Sequence, residues 1–411
     1  MTTQQTLADL VAIDSVSSRS NAEIISYLAR RCEALGLKLN RFPHIDENGN
    51  EKINLVAVTS VTTNILPSPL AGRGGGGVET RKVLTPDPSP HAERGTPTNE
   101  VWATELALVG HTDTVPYDSK WKEALTLTER DGQLFGRGAC DTKAFIAATL
   151  TAVESIDLST LTKPLALVFT SDEEIGCLGA KRLAQAQPFT AKYAIVGEPT
   201  SLQPMRAGKG YCLAQVIVRG REAHSAYPQL GASAIFRAAR LIERIETIAQ
   251  ELMKDAHQDF DPPHTTINVG LISGGSAKNI IPGECRFTLE WRTIPGQPAN
   301  HFLDLIKTAI ADLEKEDADF VCAIDADRAD DSFETSADSK LVRFLEQASG
   351  KSSGAVAFGT EAPSMIALGA EAVVFGPGNI RVAHRTGEFV PVDELNQCAQ
   401  VLREAIERFC A

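Results

Sequence analysis

The sequence predicts an α/β fold, in which a mixed, mostly parallel sheet is covered by helices and a second, α+β domain is inserted. Short apolar segments at 105–110, 165–169 and 193–196 alternate with helical patterns, as is typical of parallel strands buried on both faces. From about residue 205 the pattern changes to alternating strands beside long amphipathic helices. After residue 325 the pattern of the first part returns, which indicates an insertion of one domain into another.

The first 58 residues predict helices followed by two strands. Apolar residues at 7, 10, 11 and 13 precede a serine-rich break, and a second helical face then runs from Ile24 to Leu35 at three- and four-residue spacing. Gly36 is a helix stop signal. Segments 37–42 and 53–58 have the composition of strands.

Residues 61–100 differ from their surroundings and predict a flexible insertion. This segment contains six Pro and six Gly in 40 positions. The stretch PSPLAGRG at 67–74 recurs as PSPHAERG at 88–95. GGGG at 74–77 lacks the Gly-Lys-Ser/Thr sequence of a phosphate-binding loop, so no chemistry is expected here.

The inserted part predicts one antiparallel layer backed by helices. Strands are expected at 212–218, 266–272 and 285–291, and a helix at 302–313. A second helix is expected to bury one face, formed by Ile235, Ala239, Ile242, Ile245, Ile248 and Leu252. We therefore predict one domain of residues 1–204 and 326–411, into which a second domain of residues 205–325 is inserted.

Charge and composition exclude several classes of protein. The chain has 411 residues, 43% of them hydrophobic, and a net charge of −13, which argues against nucleic acid or an anionic membrane as a partner. No apolar run reaches membrane-spanning length, and the N-terminus lacks a signal-peptide layout, so a cytoplasmic location is expected. The eight cysteines form no CxxC pair, which argues against a thiolate metal site.

Acidic residues and histidines follow the predicted strands at the edge where open α/β sheets bind ligands. His111, Glu173, Glu174 and Glu198 should converge there, and carboxylates that close repel unless a divalent cation lies between them. Each residue taken alone is ordinary, since a single histidine or acid is more often structural or solvated. Five candidate ligands suit two metal ions, and their oxygen and imidazole atoms suit zinc, cobalt or manganese: His111, Asp141, Glu174, Glu198 and His384.

Two further residues next to these candidates predict supporting roles. Asp113 lies two residues after His111 and is placed to orient its imidazole. Glu173 neighbours a ligand but should point differently, which leaves it free as a general base.

Five motifs in order resemble the peptidase family M20 of co-catalytic zinc aminoacylases and carboxypeptidases: HTDTVP, GRGACDTK, DEEIG, VGEPT and AHRTGEFV. The resemblance implies a zinc-exopeptidase-like catalytic domain with two divalent ions, zinc or cobalt. It implies His111 and Glu198 on one ion, Glu174 and His384 on the other, and Asp141 bridging them. Thr142 and Ala144 replace the Met and Gly of the family pattern GRG-x-x-D-M-K-G, but neither is a predicted ligand.

The inserted domain carries further residues that the resemblance implies. His224 in REAHSAYP corresponds to a family histidine that reaches the active site of the neighbouring subunit and stabilises the oxyanion there. The resemblance therefore implies a homodimer, with residues 205–325 as the lid and dimerisation domain and the remainder as the catalytic metal-binding domain. Asn279 and Arg292 lie in NIIPGECRFTLEWR, which resembles the family segment that binds the substrate carboxylate. A surface histidine and a surface arginine are the alternatives for His224 and Arg292.

FGTEAPSM near the C-terminus resembles the acetylornithine deacetylase branch of this family. It implies hydrolysis of N2-acetyl-L-ornithine to ornithine and acetate in arginine biosynthesis, with a small N-acyl amino acid as the only partner besides a second copy. Gly359, Thr360 and Glu361 are the corresponding substrate-binding candidates, and Glu361 could pair with the substrate ammonium. A Glu361 that merely stabilises a helix N-terminus is the alternative.

Other functions stay open at this stage. Succinyl-diaminopimelate desuccinylase, acetylcitrulline deacetylase and carboxypeptidase activities would use the same metal chemistry. A non-catalytic protein that binds amino-acid derivatives is a candidate from another class, but such a protein would have no need of Glu173 as a base.

Overall fold

The computed structural model describes residues 1–60, 66–67 and 100–411. The predicted flexible insertion at 61–100 therefore lies almost wholly outside the described residues. The helices are α1 (Thr3–Ala12), α2 (Ala22–Ala34), α3 (Lys143–Glu154), α4 (Leu178–Ala186), α5 (Ala234–Leu252), α6 (Ala299–Glu316), α7 (Lys340–Ser349), α8 (Ala362–Ala367) and α9 (Val392–Cys410). The strands are β1 (Lys38–Ile45), β2 (Glu51–Val58), β3 (Leu66–Pro67), β4 (Glu100–His111), β5 (Thr128–Arg130), β6 (Gln133–Phe135), β7 (Leu165–Thr170), β8 (Phe189–Val196), β9 (Met205–Gly208), β10 (Tyr211–Arg219), β11 (Ala223–His224), β12 (Thr266–Gly274), β13 (Ile280–Ile281), β14 (Glu284–Arg292), β15 (Val321–Asp330), β16 (Phe333–Glu334), β17 (Gly354–Val356), β18 (Glu371–Val374) and β19 (Phe389–Pro391).

The larger sheet has the strand order β1-β2-β7-β4-β8-β18-β9-β16, with β3 paired to β4 and β17 to β9. Its four central strands β7, β4, β8 and β18 are parallel, and antiparallel pairs flank them on both sides. The carboxyl ends of the central strands therefore meet at one edge of the sheet.

Both faces of this sheet are buried, which explains why its strands are continuously apolar. Leu106 and Leu108 of β4 pack into a core with α1, α2, α3, α7 and α9. Ala107 and Val109, which alternate with them, pack on the opposite face with α4 and α8. This sheet, parallel at its centre and covered by helices on both faces, is the α/β arrangement predicted from the sequence.

The smaller sheet has the order β12-β14-β10-β15 and is antiparallel throughout. Its core packs against α5 and α6 and includes Phe287, Trp291 and Phe302. The division at residues 204/205 and 325/326 stays a prediction, but two strands favour slightly later boundaries. β9 pairs within the larger sheet, and β15 continues to Asp330 before the chain returns.

Helix α5 buries the predicted face except at its start. Of the predicted residues, Ile245 and Leu252 are buried against the smaller sheet, and Ile242 and Ile248 are partly buried against the same core. Ile235 and Ala239 are exposed, and Ala234 and Ala238 are buried in their place. Ile235 is consequently left on the outer surface of the protein.

Candidate metal centre

Three neighbouring parallel strands deliver the predicted acids and one histidine to the same edge of the sheet. His111 is the last residue of β4, Glu173 and Glu174 follow β7, and Glu198 follows β8. β4 pairs with β7 on one side and with β8 on the other, so the three segments end side by side. Asp141 reaches this edge from the loop before α3, and His384 reaches it from the segment between β18 and β19.

Asp141 lies between the two histidines. Its Oδ1 is 3.0 Å from His111 Nε2, and its Oδ2 is 3.0 Å from His384 Nε2. The same His384 nitrogen is 3.0 Å from Glu174 Oε2. One carboxylate thus contacts an imidazole with each oxygen, which is the arrangement expected of a ligand shared by two ions.

Within this cluster, two sets of ligand atoms are close enough to hold a cation. One set comprises His111, Glu173 and Glu198, and the other comprises His111, Asp141 and Glu174, with all ligand atoms of a set within 4.8 Å of one another. His384 adds a nitrogen beside Asp141 and Glu174. The first set includes Glu173, which the sequence predicts as a base, so this geometry gives Glu173 two candidate roles.

The carboxylates of the cluster destabilise one another's charged forms. Burial, together with the charges of Glu174 and Asp141, raises the pKa of Glu173 to about 8. Burial and the nearby Asp141 also raise the pKa of Glu198 well above its ordinary value, and that of Glu174 to a smaller extent. Glu174 Oε1 is buried without a hydrogen-bond partner among the described residues.

The imidazole of His111 gives an independent indication of a cation. Its Nδ1 lies 3.0 Å from the main-chain carbonyl of Asp113 and so donates a proton to it, while Nε2 faces Asp141. A neutral imidazole would direct a lone pair from Nε2 at that carboxylate, so a second proton or a metal ion must lie between the two groups. Buried acids and imidazoles without thiolates suit zinc or a similar divalent ion, and the residues therefore fit a metal centre.

Asp113 contacts the His111 imidazole and also holds the turn that carries the two glutamates. His111 Nδ1 is 3.0 Å from the main-chain oxygen of Asp113 and 3.6 Å from its side-chain Oδ1, and the predicted orienting role of Asp113 stays a prediction. The Asp113 carboxylate also accepts hydrogen bonds from the main-chain nitrogens of Glu173 (3.1 Å) and Glu174 (3.3 Å). Ser17 Oγ donates a third, at 2.8 Å. Asp113 thereby fixes the turn that presents both glutamates.

A cavity of about 170 Å³ opens onto this cluster. Arg292, a predicted carboxylate-binding residue, lines it, and so does Gly359. The sequence did not single out four other lining residues: Tyr211, Arg328, Phe358 and Ile380. Arg292 and Arg328 each stack on the Tyr211 ring, at 4.5 and 4.6 Å from its centroid. No sequence signal links them, because Tyr211 and Arg328 meet only through the pairing of β10 with β15.

The structure does not bring His224 and Asn279 to the cavity of their own chain. Both are exposed, and they lie beside each other, because β11 pairs with β13 and Ser225 N donates to Asn279 O at 3.0 Å. The two predicted residues are therefore neighbours on the surface of the inserted domain.

Thr360 and Glu361 are also absent from the residues that line the cavity. Thr360 Oγ1 accepts a hydrogen bond from Ala362 N at 3.2 Å, at the start of α8. Glu361 is buried, and its Oε1 has no partner among the described residues. Burial raises the pKa of Glu361 to about 7. The predicted contact between Glu361 and a substrate ammonium stays a prediction.

A comparison with protein families matches residues 107–408 to the peptidase family M20/M25/M40. The chain belongs to this family. An acetylornithine deacetylase of Myxococcus xanthus is 49% identical over 98% of this chain and 97% of its own length. An acetylornithine deacetylase of Proteus mirabilis is 31% identical over 97% of this chain and 93% of its own length.

Solved structures of other proteins share the fold. A tripeptidase from Staphylococcus aureus superposes with a TM-score of 0.71 at 22% identity, covering 99% of this chain and 97% of its own. An M20 family metallo-carboxypeptidase from Sulfolobus solfataricus gives 0.68 at 18% identity, covering 100% and 99%. The resemblance to family M20 and the α/β fold class are thus confirmed, as is the predicted class of metal-dependent amidohydrolase.

No helix in the described part of the chain is both long and apolar enough to cross a membrane.

Proposed function

We propose that this protein is an acetylornithine deacetylase, which hydrolyses N2-acetyl-L-ornithine to L-ornithine and acetate. The 49% identity to the Myxococcus xanthus acetylornithine deacetylase over nearly the whole of both chains supports this substrate. The single structural observation that carries the proposal is the cavity that combines the Asp141 cluster with Arg292. The cluster suits amide hydrolysis, and the guanidinium suits the carboxylate of an acyl amino acid.

In this proposal His111 and Glu198 would hold one divalent ion, Glu174 and His384 would hold the other, and Asp141 would contribute to both. Zinc or cobalt ions bound there would polarise the acetyl carbonyl and lower the pKa of the attacking water. The rise in pKa of the three clustered glutamates supports this assignment, because burial and the neighbouring carboxylates both disfavour their charged forms and bound cations would offset that cost.

Glu173 acts as the general base. Its carboxylate lines the cavity beside the candidate ligands, where it can take a proton from the attacking water and give it to the departing amine. Asp113 holds the main chain of Glu173 in place during both transfers. One water is consumed, the amide C–N bond breaks, and the proton from that water ends on the ornithine nitrogen.

The substrate carboxylate binds Arg292. The Arg292 side chain is held by Glu290 through Nε at 2.9 Å and by the Ala357 carbonyl through Nη1 at 2.7 Å. Stacking on Tyr211 leaves the guanidinium at the cavity wall, facing the metal cluster. An acyl amino acid can therefore place its carboxylate at the arginine and its amide at the cluster.

The active form is a homodimer joined through the smaller sheet. β12 is an edge strand of that sheet, and its Leu271 and Ile272 side chains are 71% and 57% exposed. Phe236 of the neighbouring α5 is 75% exposed, beside a groove that Ile280 and Ile281 also line. Exposed apolar side chains next to an open strand edge favour association with a second copy.

Dimerisation also gives His224 and Asn279 a function. Both are exposed outside their own cavity, so either can reach a substrate only in a neighbouring subunit. His224 from the partner subunit would then stabilise the oxyanion that forms as the amide is attacked. Asn279 would enter with it, because Asn279 directly precedes β13, which pairs with the strand of His224.

We further propose that the enzyme serves arginine biosynthesis in the cytoplasm. All eight cysteines lie in the described residues and all are free thiols. Unpaired cysteines are typical of proteins that work in a reducing compartment.

A steady-state panel with the full chain and added zinc or cobalt tests the proposed substrate. It should compare acetylornithine, acetylcitrulline, succinyl-diaminopimelate and short dipeptides at equal enzyme and metal concentrations. The proposal predicts the highest kcat/KM for acetylornithine. A higher kcat/KM for any of the others would replace the substrate assignment, and no turnover of any of them would favour a binding protein.

A further inference from the structure

Glu388 is a buried acid that neither the metal centre nor the proposed mechanism uses. It lies four residues after His384, in the motif AHRTGEFV, and its side chain is fully buried. Its Oε1 accepts hydrogen bonds from the main-chain nitrogens of Cys140 at 2.9 Å and Asp141 at 3.0 Å. One side chain therefore connects the segment that carries His384 to the loop that carries Asp141.

The other oxygen of Glu388 has its own partner. Oε2 lies 2.5 Å from Arg137 Nη1, and both side chains are buried. Arg137 Nη2 donates to the Pro116 carbonyl at 3.2 Å, and the guanidinium stacks over Trp121 at 5.4 Å. The pair is thus neutralised and held on several sides, so that the Glu388 carboxylate has one orientation.

This arrangement bears directly on the position of Asp141. The Asp141 carboxylate contacts His111 with one oxygen and His384 with the other, both at 3.0 Å. A small rotation of the loop would lengthen at least one of these contacts. The Glu388 carboxylate accepts hydrogen bonds from the main-chain nitrogens of Cys140 and Asp141, and these two bonds oppose such a rotation.

We propose that Glu388, with Arg137 as its counter-ion, is a positioning residue that sets the Asp141 carboxylate between the two halves of the metal centre. The inference rests on the proposed metal centre but not on the identity of the substrate. A buried ion pair could instead serve only to stabilise the fold. The two roles differ in what happens to metal affinity, since residues behind metal ligands commonly tune it 10- to 100-fold.

Zinc titration of the chelator-treated full-length protein, together with thermal unfolding, separates the two roles. Glu388→Gln keeps an oxygen acceptor and the side-chain shape but removes the charge that Arg137 neutralises. Glu154→Gln is the matched control, because Glu154 is also an acid paired with an arginine, Arg31, with Nε and Oε1 3.0 Å apart. Glu154 ends α3, about 18 Å along the helix from the Asp141 loop.

The positioning role predicts a zinc dissociation constant raised about 10- to 100-fold by Glu388→Gln and within about twofold of wild type for Glu154→Gln. The double variant Arg137→Met/Glu388→Met covers the case in which the single variant does not fold, because it leaves no buried charge unpaired. It should fold and bind zinc more weakly than the wild type, because the main-chain nitrogens of Cys140 and Asp141 have lost their acceptor.

Wild-type zinc affinity in Glu388→Gln, or in the folded double variant, would overturn the proposal. An equal loss of affinity in Glu154→Gln would do the same, because the effect would then follow stability alone. If the wild-type protein itself bound no zinc, the metal centre would fail, and this inference would fail with it.

Discussion

Replacement of Glu173 by glutamine tests the chemistry of the site most sharply. Gln is isosteric with Glu and keeps the main-chain hydrogen bond to Asp113, so the turn after β7 should retain its shape. It removes the one property that the proposed mechanism needs, a carboxylate that takes up a proton. The Glu173 carboxylate has one hydrogen bond from a side chain, Cys177 Sγ at 3.2 Å, and Gln can accept that contact as well.

The expected effect is a fall in kcat of about 100- to 10,000-fold, which is the usual contribution of a general base. KM for acetylornithine should change little, because Arg292 and not Glu173 binds the carboxylate in this account. Zinc content, measured on the same preparation, should stay at the wild-type value. Glu129→Gln is a matched control, because Glu129 is exposed on β5 and should leave kcat and zinc content unchanged.

Loss of zinc from Glu173→Gln would contradict the assignment of Glu173 as the base. Glu173 belongs to a set of potential ligands with His111 and Glu198, so it could hold an ion directly. In that case Glu173→Gln would lose zinc along with activity. A variant that keeps both zinc and wild-type turnover would instead show that another group acts as the base.

Three further predictions follow from the same geometry. Without metal, the protein should lose stability as the pH rises from about 6 to about 9. Burial raises the pKa of Glu173 to about 8, and hydrogen bonds to acids raise that of His384 to about 10, so the folded state binds more protons than the unfolded chain. Thermal unfolding with a chelator measures this, and a Tm that is unchanged or higher at pH 9 contradicts it. Arg292→Lys should raise KM for acetylornithine about tenfold with little change in kcat, because the charge remains and the paired hydrogen bonds are lost; an unchanged KM in steady-state assays would remove its role. Co-expression of His224→Ala with Glu173→Gln should restore about a quarter of wild-type activity, because mixed dimers contain one complete site; no recovery above the separate variants would exclude a histidine from the partner subunit.

The sequence predicted the strand-end residues of the site because their positions follow from local patterns. The end of an apolar segment in the sequence indicates where a buried strand ends, and His111 and Glu198 lie at or just after such ends. Parallel pairing then requires that these side chains meet. The same logic predicted the larger sheet and its buried faces, and both are present in the structure.

Residues whose partners are distant in sequence could not be predicted in this way. Arg328 stacks on Tyr211 because β10 pairs with β15. Glu388 accepts a hydrogen bond from the Cys140 nitrogen, which is 248 residues away in the sequence. The start of the buried face of α5 was misplaced, because Ala234 and Ala238 pack into the core there and Ile235 does not. The motif around Glu361 identified the residue but could not predict that its side chain is buried and does not line the cavity.

The most direct measurement counts the metal ions that this protein binds. Equilibrium dialysis of the chelator-treated chain against zinc, followed by elemental analysis, gives the number of ions per subunit, and the same measurement on Asp141→Asn tests the shared ligand. The account predicts two zinc ions per subunit for the wild type and weaker binding of both in the variant. Binding of no zinc by the wild type, or of two ions with unchanged affinity by Asp141→Asn, would contradict it.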